Sequence, residues 1–222
     1  MTQKNTLGII IFLFSYFSLF VSFFFNEDGS GGGATGDFDI TYGFVLSLKE
    51  NILSNPKDWT VVHTPLHYIL LSFLTNFIED TYYLRLFFCS LTFLVPLFFY
   101  KTLLLKFKNI DNNVALIISS SIFFLPAFRY TSIWANDLIT SIFFFILSIN
   151  FFFKWQDNKK NTICVNIFFQ LFFLVLATYC RQYFAVFFLY FLFAYYKHLN
   201  LRIFFIILFG CFLSSIPVLY YT

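Results

Sequence analysis

Charged residues are scarce in this sequence of 222 residues: only 11% are charged, whereas 59% are hydrophobic. A water-soluble domain contains about 25% charged residues. With so few, this chain cannot cover its apolar side chains with a polar surface in water, and the mean hydropathy is +0.78. The scarcity therefore excludes an ordinary soluble enzyme, gives no reason to expect a nucleic-acid partner, and predicts an all-α integral membrane protein.

Closely spaced cysteines are absent as well. The four cysteines, Cys89, Cys164, Cys180 and Cys211, stand in or at the ends of apolar runs, and no C-x-x-C pattern occurs. That absence argues against a zinc or redox motif. We interpret all four as small apolar residues of the protein interior.

No small-residue cleavage site follows the first apolar run, residues 7–25. The run is long enough to cross about 30 Å of hydrocarbon, and only Lys4 precedes it. We therefore predict a retained first helix with a cytoplasmic amino end. A cleaved signal peptide is the alternative.

Later apolar runs predict six further spans, at residues 82–105, 114–128, 138–153, 162–179, 183–196 and 203–220. The run 65–77 is shorter, which is typical of an interfacial or re-entrant helix. Residues 40–53 predict a second helix lying at the interface. The result is a single membrane module, residues 1–222, of about seven transmembrane helices. Its first extracytoplasmic loop, 26–81, holds the interfacial helices, and its second is 129–137.

The placement of charge supports this layout. Cytoplasmic segments hold nine basic and two acidic residues: Lys4, Lys101, Lys106, Lys108, Lys154, Lys159, Lys160, Lys197, Arg202, Asp111 and Asp157. Outer segments hold nine acidic residues and five basic ones, Lys49, Lys57, Arg85, Arg129 and Arg181. If 65–77 were a full span, every later loop would change sides and the excess of Lys and Arg inside would disappear.

Several polar residues then converge on the outer face. They are Asp37 and Asp39 after the first helix, His63, His67 and Tyr68 around the interfacial helix, Asp137 at the start of the fourth span, and Arg181 and Gln182 between two spans. An ionisable residue at membrane depth, such as Arg181, is a functional candidate, and a guanidinium suits a phosphate. An arginine that extends to the lipid head groups is the alternative.

Two of these residues also have structural interpretations. Asp137 can cap its helix and complement the helix dipole. His63 and His67 are four positions apart, which suits a metal pair on one helix face, but packing and a hydrogen bond to a carboxylate are the more common use of such histidines. The functional interpretation therefore rests on the combination of residues.

These motifs resemble those of the GT-C superfamily of membrane glycosyltransferases, which use polyprenyl-phosphate-linked sugar donors. The matching residues are Asp39 (or Asp37), the run His63-Thr64-Pro65-Leu66-His67-Tyr68, Asp137 and Arg181. The likeness is to the protein O-mannosyltransferase and aminoarabinose-transferase branch, and Arg181-Gln182 is similar to a feature of the endoplasmic-reticulum glucosyltransferases of the lipid-linked oligosaccharide. Thr64 replaces the first proline of the family's Pro-Pro pair, Asn136-Asp137 replaces an Asp-x-Asp, and the chain is shorter than family members, which predicts a fragment or shortened form.

The resemblance implies transfer of a sugar, with inversion, from a polyprenyl-phosphate donor to a lipid or glycan acceptor on the extracytoplasmic face of a bacterial inner or plasma membrane. Asp39 and Asp137 are then the catalytic residues. Asp37, His63, His67, Tyr68, Arg181 and Gln182 bind substrate. A divalent metal ion is the one cofactor that the resemblance leaves open, with no metal-ligating residue assigned. The alternatives are a small transporter or flippase, for which no internal repeat is visible, and a non-catalytic fragment or assembly subunit.

Overall fold

The computed structural model describes residues 6–29, 33–50, 64–158 and 165–220, and within those ranges every regular element is a helix, with no strand. The predicted all-α class is confirmed. The α-helices are α1 (Thr6–Phe24), α2 (Ala34–Glu50), α3 (Leu66–Leu74), α4 (Thr81–Leu91), α5 (Leu94–Lys106), α6 (Asn112–Ser120), α7 (Pro126–Ile133), α8 (Asp137–Asn158), α9 (Val165–Cys180), α10 (Val186–His198) and α11 (Leu201–Tyr220). Short 3-10 helices cover Ser121–Phe124 and Gln182–Ala185.

In the part of the chain that the structure describes, three helices are long and apolar enough to cross a membrane, namely Thr6–Phe24, Thr81–Lys106 and Asp137–Asp157. The second of them comprises α4 and α5. A fourth span is possible if Asn112–Phe124 and Pro126–Ile133, which meet at a bend of 67°, cross the membrane together. Val165–Cys180 and Leu201–Ser214 are shorter apolar helices. Three to four candidate spans are thus established, and the layout of seven stays a prediction.

The predicted span 114–128 is the one that the bend interrupts. Leu125 adopts an extended conformation and Pro126 occupies the first turn of α7. The proline ring restricts the residue before it to extended backbone, and proline is well tolerated where a helix begins. The apolar run therefore continues through two helix segments of different direction.

The first outer loop differs from the prediction in its helix boundaries. The predicted helix at 40–53 is α2, which begins earlier, at Ala34, so that Asp37 and Asp39 lie in its first turns and not in an irregular loop. An acidic residue in the first turn of a helix is stabilised by the helix dipole. The predicted interfacial helix 65–77 is α3, which has nine residues, Leu66–Leu74. His63 lies outside the described residues.

The chain forms two compact units. The first contains Met1–Ile52 and Tyr68–Ile139. In it α1 packs on α4, α6, α7 and the first 3-10 helix, with Leu19, Phe23 and Phe123 fully enclosed. Gly8 brings α1 close to α6, because its N–H donates to Asn113 Oδ1 at 3.0 Å.

The second unit contains Leu53–His67 and Thr140–Thr222. Its interior is aromatic: Phe152 and Trp155 of α8 pack with Phe191 and Tyr195 of α10. The ring centroids of Trp155 and Tyr195 are 4.8 Å apart in an edge-to-face arrangement, which suits the ring quadrupoles. The aromatic richness of the sequence therefore serves packing in this unit.

Candidate functional site

Two helices of the first unit end in the same way. After α1, the N–H of Asn26 donates to Phe23 O and the N–H of Glu27 donates to Ser22 O, with Asn26 left-handed at φ 48°. This is the Schellman arrangement, which satisfies the last carbonyls of a helix. Both α1 and the turn after it are therefore held in one defined geometry.

The end of α7 repeats the arrangement. The N–H of Asn136 donates to Thr131 O, and Ala135 takes the left-handed position at φ 46°. Glycine or asparagine usually occupies this position, because a Cβ there is crowded. The two helix ends are joined: Trp134 Nε1 donates to Glu27 O at 3.0 Å.

Arg85 of α4 lies against both of these helix ends, with 8% of its surface exposed. Its Nε donates to Ile133 O at 3.1 Å, and its Nη2 donates to Asn26 Oδ1 at 3.5 Å. The Arg85 Cζ is 3.6 Å from the ring centroid of Trp134. It is also 5.3 Å from the ring centroid of Phe23 and 5.5 Å from that of Phe38. A guanidinium stacked on rings in this way is a cation–π arrangement, which holds the charge in a fixed place.

A second arginine, Arg129 of α7, forms an ion pair with Glu27. Its Nη2 is 2.8 Å from Glu27 Oε2, and its Nε is 3.0 Å from Glu27 Oε1. Arg129 Nη1 also donates to Phe123 O at 3.1 Å. Burial raises the pKa of the Glu27 carboxyl, but the hydrogen bonds from Ser22 and Arg129 and the charge of Arg129 outweigh that effect, so the pKa lies below its ordinary value.

Two of the three acidic residues of α2, Asp37 and Asp39, lie near its start and are exposed. Asp37 Oδ2 accepts a hydrogen bond from Tyr130 OH at 2.5 Å. Phe38, between them, packs on Trp134 with ring centroids 6.1 Å apart. Asp39 acts electrostatically on Arg85. The start of α2 is therefore attached to α7 and Trp134 through Asp37 and Phe38.

Asp137 is the first residue of α8, and three residues separate it from the end of α7. Only 3% of its surface is exposed. The preceding residue caps the helix, because Asn136 Oδ1 accepts from the Leu138 N–H at 3.0 Å. The acidic residue at this position is stabilised by the dipole of α8. The structure thus places Asp37, Asp39 and Asp137 in one unit, with Asp37 and Asp39 accessible and Asp137 enclosed.

Tyr68 and His67 are assigned to different units. Tyr68 belongs to the first unit, is buried, and packs edge-on against Phe44. His67 belongs to the second unit, where its Nδ1 is 2.9 Å from Thr140 Oγ1 and the ring is buried. Both side chains are thus occupied in packing and hydrogen bonding within the fold.

Arg181 and Gln182 also belong to the second unit. Arg181 has extended backbone between α9 and the 3-10 helix that begins at Gln182. Its N–H donates to Ala177 O at 2.9 Å, and its guanidinium lies 5.8 Å from the Tyr183 ring centroid. Gln182 is exposed.

A metal ion does not fit the residues at hand. In the ranges that the structure describes, no three His, Cys, Asp or Glu side chains are grouped so that they could hold one. Asp37 is engaged by Tyr130, and Asp39 faces a guanidinium. The arrangement suits charge pairing and hydrogen bonding to an organic ligand better than metal coordination.

Sequence reasoning missed Arg85, which it treated only as one of five outer basic residues. The signal was present: Arg85 interrupts the apolar helix Thr81–Lys106, and a cation within such a helix is expensive without a partner. The partners of Arg85 come from α1, α2 and α7, which are distant in sequence. No local pattern could have shown that these segments meet.

No protein-family model, curated protein or solved structure matches this chain.

Proposed function

We propose that this chain is a membrane glycosyltransferase that moves a sugar from a polyprenyl-phosphate donor to a lipid or glycan acceptor on the extracytoplasmic face, with inversion. One observation carries the proposal. The start of α2, which carries Asp37 and Asp39, is fastened to α7 and to Trp134 just after it by the Asp37–Tyr130 hydrogen bond and the Phe38–Trp134 contact, and Asp137 follows three residues after Trp134. Residues 93 positions apart in the chain are therefore in contact, and they belong to the same unit as Asp137.

The chemistry of such a transfer needs few groups. A polyprenyl phosphate leaves as an anion that is already stabilised, so a cation helps more than a general acid. The acceptor hydroxyl needs a base within hydrogen-bond reach, and an exposed carboxylate such as Asp39 meets that need. Attack on the anomeric carbon opposite the departing phosphate forms the new glycosidic bond and inverts the centre.

The other two carboxylates have positioning roles in this proposal. Asp37 is engaged by Tyr130 and orients the start of α2. Asp137 is enclosed, with 3% of its surface exposed, and acts through the geometry of the α7–α8 connection. The resemblance assigns Arg181 and Gln182 to the donor, and Arg181→Ala belongs in the same assay.

Transfer of label from a polyprenyl-phosphate sugar in membranes containing the full chain tests the proposal. Asp39→Asn removes the base, and we expect the rate to fall about a hundredfold or more. Asp137→Asn should lower it by a smaller factor. The matched controls are Asp28→Asn and Glu79→Gln, which remove exposed carboxylates from the same unit and should leave the rate unchanged. Undiminished transfer by Asp39→Asn would reject the assignment.

The proposal also includes the topology of seven spans with the amino end inside. Single cysteines in a background without native cysteines, reacted with an impermeant maleimide in intact cells, test it. Position 39 should react from outside, whereas position 108, in a predicted cytoplasmic loop, should react only after permeabilisation. If position 39 reacted only after permeabilisation, Asp37 and Asp39 would lie on the cytoplasmic side, and the proposed topology would be rejected.

A further inference from the structure

The Arg85 guanidinium is a buried charge with no carboxylate ion pair. None of the described residues places an Asp or Glu oxygen within 4.0 Å of it, and Asp39 acts on it only from a greater distance. Burying a cation is costly unless something offsets the charge. Part of the offset comes from the carboxyl ends of α1 and α7, since a helix end carries roughly half a negative charge.

One edge of the guanidinium is left open. Nε and Nη2 are engaged by Ile133 O and Asn26 Oδ1. Nη1 donates no hydrogen bond to any described residue, and the atom is not fully buried. An arginine has five N–H donors in one plane. Those on Nη1 are therefore not used by any described residue.

The aromatic rings around Arg85 determine which ligand geometry is accepted. The Trp134 ring stacks at 3.6 Å, and the rings of Phe23 and Phe38 lie within 5.5 Å. These rings contact the cation but offer no hydrogen-bond acceptor. The open edge therefore has no acceptor of its own and suits oxygens that approach in the plane, as the oxygens of a phosphate do.

We propose that Arg85, through Nη1, is the phosphate-binding cation of the face that carries Asp37 and Asp39. The ligand class is a phosphate ester, and Asp39 stands beside it as the group that meets the alcohol or sugar portion. This assignment takes the phosphate of the proposed donor as its ligand, and so it rests on the proposed function. It gives the α2 carboxylates a cation from their own unit.

Equilibrium binding tests the assignment without requiring turnover. The full chain is placed in phosphatidylcholine nanodiscs and titrated with labelled polyprenyl monophosphate. Arg85→Gln keeps an N–H donor but removes the charge, and we expect the dissociation constant to rise about tenfold to a hundredfold, the value of one charge-assisted hydrogen bond. Inorganic phosphate as a competitor distinguishes the two sources. Displacement shows that the free ion suffices, and its failure shows that the lipid is required.

Two matched variants separate binding from folding. Arg129→Gln removes the other arginine of this cluster, which is already paired with Glu27, and should leave the dissociation constant unchanged. Asp39→Asn leaves Arg85 and its contacts intact and removes a negative charge near the phosphate. It should tighten binding severalfold, because like charges repel.

Three results would overturn the assignment: an equal loss of affinity in Arg129→Gln and Arg85→Gln, weaker binding in Asp39→Asn, or displacement by oleate as effective as that by phosphate. Each would mean that binding reflects general positive charge or a lipid surface. The two proposals fail separately. Phosphate binding that depends on Arg85 without sugar transfer rejects the glycosyltransferase, and transfer that survives Arg85→Gln unchanged rejects the role of Arg85.

Discussion

The two units satisfy their buried polar groups in different ways. In the first unit, the polar cluster is charged and lies at helix ends, where Arg85 and Arg129 contact main-chain carbonyls and Glu27. In the second unit, a network of neutral polar groups lies in the middle of helices: Gln170 Nε2 donates to Ser148 Oγ at 3.0 Å, and Tyr195 OH donates to Gln170 Oε1 at 2.8 Å.

The difference indicates that the charged cluster of the first unit is a candidate ligand site, whereas the polar network of the second unit holds helices together. The neutral network of the second unit links α8, α9 and α10, and Gln170 and Ser148 are completely buried. Polar side chains that bond across helices in this way hold membrane bundles together. The charged cluster of the first unit keeps one open edge and exposed carboxylates beside it. The proposed phosphate site therefore belongs to the first unit, whereas the neutral network of the second unit joins its helices.

The largest effect is expected in the neutral network. Gln170→Leu leaves the Tyr195 hydroxyl buried without its acceptor and Ser148 without its donor, and we expect a loss of about 2–4 kcal/mol. The midpoint of thermal unfolding in detergent measures it. Adding Tyr195→Phe should recover part of the loss, because both partners are then apolar. Gln156→Leu, at a half-buried position of α8, is the control. If the stability losses of Gln170→Leu and Tyr195→Phe simply add in the double variant, the two residues are not coupled by their hydrogen bond and contribute through packing alone.

The next effect concerns how closely α1 approaches α6. A Cβ added at Gly8 would lie 2.9 Å from Asn113 Oδ1 and 3.1 Å from Asn113 Cα, so Gly8→Ala forces the helices apart. We expect a loss of about 1–2 kcal/mol. Gly43→Ala in α2 meets nothing within 4 Å and should stabilise slightly. Equal unfolding midpoints for the two variants would contradict the close approach.

A smaller effect is the pH dependence of stability, which should differ between the two units. The pKa of Glu27 lies below its ordinary value of 4.5, so the stability that its ion pair contributes is complete above pH 4.5 and is lost as the pH falls through the lowered value. Because the Glu27 side chain is 43% exposed, solvent screens the pair, and the loss is about 0.2–1 kcal/mol.

Unfolding midpoints measured at pH 6 and at lower pH check the Glu27 prediction, with Glu27→Gln as the variant that should show no such dependence on this group. High salt should reduce the difference between wild type and variant, because the pair is partly exposed. The Gln170 network, which is neutral, should respond to neither change. If Glu27→Gln lost as much stability at low pH as the wild type, the loss would come from a group other than Glu27.

The smallest effect is expected at Ala135. A left-handed alanine is strained, and Ala135→Gly relieves that strain, but it also removes a fully buried Cβ. We expect a net stabilisation of about 0.5 kcal/mol. Ala127→Gly in α7, where the backbone is helical, should destabilise by a similar amount. A destabilised Ala135→Gly variant would mean that packing of the methyl group outweighs the backbone strain.

The sequence alone predicted much of the helical content, because uninterrupted apolar runs have few alternatives in lipid. The start of α8 at Asp137 agrees with the predicted boundary within one residue. The early start of α2 was missed, since the Gly-rich segment before it is typical of loops, yet Ala34 and Phe38 are buried there against the rest of the unit. Tertiary contacts, not local propensity, decide that boundary.

The candidate site was predictable only in part. Asp37, Asp39 and Asp137 stood out as acidic residues near span ends, and the structure places them in one unit. Arg85 did not stand out, because its significance depends on Trp134, Phe38 and Phe23 meeting around it. A cation's surroundings come from residues up to 62 positions away in sequence, and periodicity carries no information at that distance.

The ion pair between Glu27 and Arg129 has a consequence for biogenesis, since the two residues are 102 positions apart. At about 5–20 residues per second, synthesis reaches Arg129 on the order of ten seconds after Glu27 has left the ribosome. During that interval the first helix sits in the bilayer without its eventual neighbour. Insertion factors and quality-control proteases therefore meet a nascent chain in which Glu27 has yet to pair with Arg129.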